Sequence, residues 1–333
     1  MQIGILGAGA IGCHVGGMLA AAGKHPVLVG RAAMAQALAG GIELTGAGRP
    51  AMRAEAGSFS FAVEPAALSA CDAVLVCVKS MDTPAAGREL ARHLKPGAIV
   101  ASLQNGVANA AALGAALGGR PVLAGMVSFN VARIGANRFH RGAGEEIVLQ
   151  DAPGALALAG EMLGAGLAAV VRRDIQAVLW GKLLLNLNNA VNALSGLPLR
   201  DQLADRNWRR VMALCVREAM RVLDAAGIRP ARVGPAPPRL IAATLELPDW
   251  LFRLVASRMP AMDGEARTSM AQDLAAGRPS EVDFLNGEIV RLGREIGVAT
   301  PVNAAVVAAV KAAFAAGRPP GIDGAQMLRM LRR

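Results

Sequence analysis

The chain opens with a short apolar run, Gln2–Leu6. Gly7-Ala8-Gly9-Ala10-Ile11-Gly12 follows at once, and then a helical pattern through Ile11, Val15, Met18 and Ala22 with Gly23 as its stop. No other feature constrains the fold as tightly. A GxGxxG that ends a strand and opens a helix is the turn of a βαβ unit that holds a dinucleotide. The first glycine permits the tight turn, the second lets backbone N–H groups approach a pyrophosphate, and the third allows helix and strand to pack closely. The helix N-terminus adds partial positive charge. Gly7, Ala8, Gly9, Ala10, Ile11 and Gly12 are therefore expected to contact the cofactor. The same apolar start lacks the basic n-region of a signal peptide.

The rest of the first half alternates apolar runs with helical patterns, as a parallel sheet with crossover helices does. Candidate strands are Gln2–Leu6, Pro26–Val29, Ala73–Val78, Ala98–Leu103 and Pro121–Val127. The run AVLVCV at Ala73–Val78 is continuously apolar, as a strand buried on both faces should be. Around Arg172–Asp174 the character changes, and from Ile175 onward the patterns are helical. Leu285, Ile289, Leu292 and Ile296 form one stripe, with Ser280 as the expected N-cap and Gly297 as the end. Thr300-Pro301 opens a further helix, and Pro230–Pro238 marks a loop. The expected fold is α/β: a Rossmann-like dinucleotide-binding domain over 1–172, followed by an all-α substrate and catalytic domain over 173–333.

Composition narrows the partners. The length allows two domains, and 53% hydrophobic against 18% charged residues argues against disorder. The formal charge of +10 rests on arginines scattered singly from Arg31 to Arg333. A nucleic-acid binder clusters its cations or interleaves them with stacking aromatics, so a field that attracts small anions is the better reading. No uncharged stretch has the length and hydrophobicity of a membrane span; the Ala-rich run from Pro153 to Val171 is interrupted by Glu161. Cys13, Cys71, Cys77 and Cys215 show neither CxxC pairing nor metal-ligand spacing, and read as buried thiols of a reducing compartment. A soluble, cytoplasmic protein without metal, membrane or nucleic-acid partner is expected.

The end of the second strand selects the dinucleotide. An NAD site places Asp or Glu there for the ribose 2′-hydroxyl. Here Val29-Gly30-Arg31 supplies a guanidinium suited to a 2′-phosphate, so NADP(H) is the expected cofactor. The chain contains no tyrosine, which excludes a Tyr-Lys catalytic pair. His14, His25, His93 and His140 are not placed like a catalytic acid and read as surface residues. Arginine carries most of the positive charge, so Lys24, Lys79, Lys95, Lys182 and Lys311 draw notice, because only an ammonium readily releases a proton. Lys79 and Asn105 follow strands, where ligands of open α/β sheets bind. In the helical half Lys182, Asn186 and Asn189 follow i, i+4, i+7 and share one helix face; a solvated stripe is the alternative. Arg267-Thr268-Ser269-Met270-Ala271-Gln272-Asp273 and Ser280-Glu281-Val282-Asp283-Phe284-Leu285-Asn286-Gly287 add polar blocks. The second block places carboxylates in a helix first turn, where the dipole favours them whatever their role.

Together these segments resemble the ketopantoate reductases (2-dehydropantoate 2-reductases). The resemblance rests on the N-terminal GxGxxG, VCVKS, LQNG around Asn105, W-x-K-L-x-x-x-N, RTSMAQD and SEVDFLNG, in this order along nearly the whole chain. It implies that Lys79, Asn105, Ala132 and Glu281 contact NADPH. It also implies that Lys182 is the proton donor and that Asn186 and Ser269, with Asn105, hold a small anionic 2-oxo acid. The family's second helix asparagine falls at Ala190 here, which leaves Asn189 or Asn192 to replace it; Asn189 shares the Lys182 face. A further substrate asparagine has no equivalent near Leu199–Leu203, and Leu247–Asp263 is longer than the family leads one to expect. The implied reaction is NADPH-dependent reduction of ketopantoate to pantoate. Alternatives are another 2-oxo acid, a β-hydroxy acid (whose dehydrogenases share K-x-x-x-N but carry a glycine-rich approach where Leu179-Trp180-Gly181 stands), or a non-catalytic NADP sensor. An exposed helical domain is compatible with a homodimer.

Overall fold

Alternating strands and helices build the first half around its most apolar strand. A computed structural model of the protein describes residues 1–46, 48–256 and 266–332. The chain divides into two units, Met1–Ile175 and Gln176–Arg333. The first runs β1 (Ile3–Leu6), α1 (Ala10–Ala21), β2 (Val27–Val29), α2 (Ala32–Ala37), β3 (Ile42–Gly46), β4 (Arg49–Ala54), β5 (Ser60–Ala62), β6 (Ala73–Val76), α3 (Thr83–His93), β7 (Ile99–Ser102), α4 (Asn109–Ala116), β8 (Leu123–Val127), β9 (Val131–Arg133), β10 (Arg138–Arg141), β11 (Glu146–Gln150), α5 (Ala155–Gly164) and β12 (Ala168–Arg172).

The main sheet has the order β12-β11-β8-β7-β6-β1-β2-β5. The strands from β8 to β5 are parallel; β11 pairs antiparallel with β8, and β12 parallel with β11. Every residue of β6 is fully buried, as its unbroken apolar run requires. The chain winds outward from β1 to β5, then returns to the other side of β1 for β6. That reversal makes the β1–β6 boundary a topological switch point.

A second sheet, β4-β3-β10-β9, was not foreseen. Its strands are short and little buried: β4 buries only Ala54, and β4, β9 and β10 all carry arginine. In β10 (RFHR) Phe139 and Arg141 are buried while Arg138 is exposed. This sheet changes the environment of α1, which was expected to bury one face. The helix is instead buried all round from Gly12 to Ala20, while Ala22 is exposed. A Cβ at Gly16 would lie 3.0 Å from Ile5 and Leu28 of the main sheet, and one at Gly17 2.9 Å from Ile42 of the small sheet. Small residues on both faces let α1 sit between the two sheets. His14 is correspondingly no surface residue: it is buried against Phe129, ring centroids 5.5 Å apart, and desolvation, then the charges of Arg141 and Arg49, lower it to about 4.

The second unit is helical: α6 (Ile175–Ser195), α7 (Leu199–Ala204), α8 (Arg206–Ala225), α9 (Pro238–Glu246), α10 (Asp249–Ala256), α11 (Ser269–Ala275), α12 (Asn286–Glu295), α13 (Pro301–Ala316) and α14 (Gly324–Leu331). Helix α8 is its hub, packed by α7, α9, α12, α13 and α14. Fully buried Arg209 donates to the carbonyls of Leu203, Ala204, Leu245 and Leu247 and to the Asp249 carboxylate at 2.6 Å. It thereby ties α7, α9 and the start of α10 together. The first part of the long 247–263 stretch is thus a loop and helix anchored on Arg209; residues 257–263 lie outside the described residues. Thr300-Pro301 does open α13, but the cap is Glu218, whose carboxylate accepts from the N–H groups of Val302 and Asn303 at 2.9 and 2.7 Å. No described helix is long and apolar enough to cross a membrane.

Candidate active site

The carboxyl ends of β7, β6, β1 and β2, adjacent in the main sheet, carry Asn105, Lys79, the glycine loop and Arg31 respectively. The loop is tied to the end of β2, because the N–H groups of Gly7 and Ala8 donate to the Val29 carbonyl at 2.9 and 3.0 Å. Gly7 has φ +106°, and a Cβ there would lie 2.6 Å from the Val78 nitrogen. A Cβ at Gly12 would lie 2.2 Å from the Gly7 carbonyl oxygen. Gly9 differs: its φ is −86°, and a Cβ would meet nothing within 4 Å. No side chain caps the first turn of α1, where Ala10, Ile11 and Gly12 lie. Close packing therefore demands two of the glycines, whereas the third keeps an uncapped helix N-terminus open on its outer side.

Arg31 is exposed where β2 gives way to α2, with no carboxylate from Val27 to Gln36. Lys79 precedes a 3₁₀ turn, Ser80–Asp82, directly after β6. Both Lys79 and Asn105 are partly buried. Ala132 is not on this rim: it lies on β9 of the small sheet, opposite His140, on a strand that packs against α1.

In the second unit Lys182, Asn186 and Asn189 lie along the single continuous helix α6. None of them is exposed, so this face is not the solvated stripe of the alternative reading. Lys182 is partly buried, and loss of hydration lowers its ammonium from 10.5 to about 8. A Cβ at the preceding Gly181 would lie 2.1 Å from the Ala231 carbonyl oxygen, and the Ala231 N–H donates to the Ala177 carbonyl at 2.8 Å. The proline-rich loop thus crosses α6 at backbone contact, one residue before Lys182.

The other asparagines of α6 hold structure. Asn188 and Gln202 exchange amide hydrogen bonds at 3.1 and 3.3 Å. Asn192 is fully buried; it donates to the Leu197 carbonyl and accepts from the N–H and hydroxyl of Thr268 at 3.0 and 3.1 Å. Ser269, next to Thr268, is exposed at the first position of α11. Glu281 is buried, but not in a helix first turn as expected. It precedes a 3₁₀ turn, Val282–Phe284, and α12 begins only at Asn286 after the irregular Leu285. Ser280 accepts from the Val282 N–H at 3.1 Å and caps that turn rather than α12. A macrodipole role for Glu281 falls away.

Two family descriptions match in series. "Ketopantoate reductase PanE/ApbA" covers residues 3–154, and its C-terminal counterpart covers 174–314. The chain belongs to the ketopantoate reductase family. It is an oxidoreductase of that type. A 2-dehydropantoate 2-reductase of Halobacterium salinarum is 30% identical over 91% of this chain and 95% of its own, and one of Caulobacter vibrioides is 31% identical over 94% and 99%. A PanE/ApbA family ketopantoate reductase from Ralstonia eutropha JMP134 superposes with a TM-score of 0.80 at 33% identity, covering 95% of this chain and 99% of its own. A D-mandelate dehydrogenase solved with NADH and anilino(oxo)acetate shares the fold at 23% identity, with a TM-score of 0.78 over 95% and 99%.

Within this family frame, two site features were not read from the sequence. Gly181 looks like one more glycine in a glycine-rich chain until the crossing loop is seen. The buried polar residues around Asn105 and Lys79, described below, are single polar letters whose partners lie far along the chain. The glycine loop itself yields a prediction. Gly12→Ala is expected to destabilise the fold by about 1–3 kcal/mol, the usual range for overpacking. Gly9→Ala is expected to leave stability within about 0.5 kcal/mol yet weaken dinucleotide binding at least about tenfold. Thermal melts with and without NADPH separate the two; equal melting behaviour of both variants would remove the distinction.

Proposed function

We propose that the protein reduces the C2 ketone of 2-dehydropantoate (ketopantoate) to pantoate, with NADPH as reductant and Lys182 as proton donor. The observation that carries this reading is the desolvated Lys182 on α6, one helical turn from buried Asn186, in a chain of this family. The cofactor end has support of its own. The glycine loop fits a dinucleotide because Gly9 leaves the uncapped N-terminus of α1 open to a pyrophosphate. Arg31 at the end of β2, with no carboxylate beside it, matches the 2′-phosphate of NADP(H). On the sheet rim Lys79 and Asn105 complete the cofactor contacts, which makes the first unit the NADP-binding domain and the second the substrate and catalytic domain. Ala132, off that rim, and Glu281, in the second unit, are assigned to the cofactor by the family resemblance alone.

A reduced nicotinamide, when bound, supplies the hydride. As C2 is reduced its oxygen gains negative charge, which the Lys182 ammonium stabilises and then neutralises by giving up a proton. The resulting amine regains its proton from solvent. A lysine whose ammonium is lowered to about 8 releases that proton far more readily than one at 10.5. Asn105, Asn186, Asn189 and Ser269 orient the substrate, Ser269 through its carboxylate, and so fix the geometry of attack. Asn192 is committed to Thr268, so Asn189 is the residue of α6 left to replace the family's second asparagine.

Paired substrates test this division of labour. Ser269→Ala is expected to weaken every 2-oxo acid by roughly 1–3 kcal/mol in kcat/KM, since all share the carboxylate. Asn189→Ala should discriminate, harming ketopantoate and sparing an analogue that lacks its hydroxyl. Discrimination by Asn192→Ala and none by Asn189→Ala would overturn the assignment. Higher kcat/KM for aryl than for hydroxyalkyl 2-oxo acids would favour a different 2-oxo acid as substrate.

A further inference from the structure

Between the ends of β6 and β7 lies a buried set of polar side chains with no part in the chemistry above. Ser80, Thr83, Ser102, Gln104 and Asn109 are each at most 6% exposed. The Gln104 amide donates to the Val78 carbonyl at 3.1 Å and to the Thr83 hydroxyl at 2.7 Å, and its oxygen accepts from Ser102 at 3.0 Å. Thr83 passes its own proton to the Asn109 side-chain oxygen at 3.0 Å. The Asn109 amide donates to the Asn105 carbonyl at 2.6 Å and to Ser80 at 3.2 Å, and Ser80 donates to the same Asn105 carbonyl at 3.2 Å. The amide protons of Gln104 and Asn109 are thereby all used, which is what a buried network must achieve to be stable.

The connectivity is directional. At one end it grips the backbone of Val78, immediately before Lys79; at the other it grips the backbone of Asn105. Neither loop carries regular structure of its own across these residues. The paired register of β6 and β7 ends at Ser102, followed by one backbone bond from the Leu103 N–H to the Val76 carbonyl at 2.9 Å. We propose that Thr83, Gln104 and Asn109 are positioning residues that set the Lys79 loop against the Asn105 loop, so that both side chains meet the cofactor in one fixed geometry. The inference rests on the proposed cofactor roles of Lys79 and Asn105. Thr83 is its relay, accepting on one side and donating on the other, and valine is nearly its isostere without either capacity.

The test is a steady-state comparison of Thr83→Val, Thr83→Ser, Lys79→Ala and Asn105→Ala, with thermal melts alongside. Thr83→Val should raise KM for NADPH about tenfold, and Thr83→Ser, which keeps the hydroxyl, should restore it. A purely structural role would lower the melting temperature and the active fraction, and leave KM of the folded enzyme unchanged. Should Thr83→Val not fold, Ser80→Ala, which removes the hydroxyl bonded to Asn109 and to the Asn105 carbonyl, should raise the same KM about threefold. If Lys79→Ala or Asn105→Ala raises KM while the folded Thr83→Val or Ser80→Ala does not, the positioning role is overturned and the cofactor roles stand. If neither Lys79→Ala nor Asn105→Ala affects NADPH, the cofactor reading fails and the inference fails with it.

Discussion

Lys182→Ala is expected to lower kcat by about 10²–10⁴-fold, the usual worth of a general acid, with little change in NADPH binding. Lys182→Arg should fail nearly as badly: it keeps the positive charge, but a guanidinium hardly releases a proton. The pH profile gives an independent check. Burial lowers Lys182 to about 8, so the ammonium needed for reduction predominates below that pH and is lost above it. The kcat/KM for reduction should therefore be flat on the acidic side and fall as pH rises through about 8. Oxidation of the hydroxy acid needs the free amine and should rise across the same interval. Binding of an anionic substrate raises the pKa, so the break in kcat should lie at higher pH than that in kcat/KM. An arginine variant that kept most of its kcat would leave Lys182 an electrostatic role only.

Removal of Arg31 is expected to weaken NADPH by roughly 1.5–3 kcal/mol, the worth of a charge-assisted hydrogen bond, and to leave NADH nearly unaffected. Arg31 is exposed and has no carboxylate near it on β2 or in the first turn of α2, so its loss should not disturb the fold. Dissociation constants for both dinucleotides, measured by fluorescence titration, decide the matter. Equal weakening of NADPH and NADH would mean that Arg31 does not read the 2′-phosphate.

The parts of the fold that could be read in advance are those where one local signal outweighs all others. β6 declares itself because four consecutive apolar residues, all fully buried, admit few other structures. The turn into α1 declares itself because two of its glycines, Gly7 and Gly12, are dictated by backbone approach. The small sheet did not, since β4 (RPAMRA) and β10 (RFHR) owe their strand character to pairing with β3, not to their own residues. The burial of His14 was hidden for the same reason: it follows from a sheet laid over α1, which no window of sequence around His14 contains. On the site, the Lys182, Asn186 and Asn189 spacing holds because α6 is unbroken. Glu281 lies outside a helix first turn because Leu285 interrupts the helical pattern and delays α12 to Asn286. The Gln104–Thr83–Asn109 relay joins residues up to 26 apart through single polar letters, and such pairings become visible only after folding.

The most direct measurement is NADPH consumption by the purified protein across a panel of 2-oxo acids that includes ketopantoate and its analogue without the hydroxyl, repeated with NADH. The expected result is steady turnover, highest in kcat/KM for ketopantoate, with NADPH preferred over NADH by at least about tenfold, and with kcat lowered about 10²–10⁴-fold in Lys182→Ala. Binding of NADPH without turnover of any 2-oxo acid would instead make the protein a sensor of its cofactor, and would contradict reduction as its function.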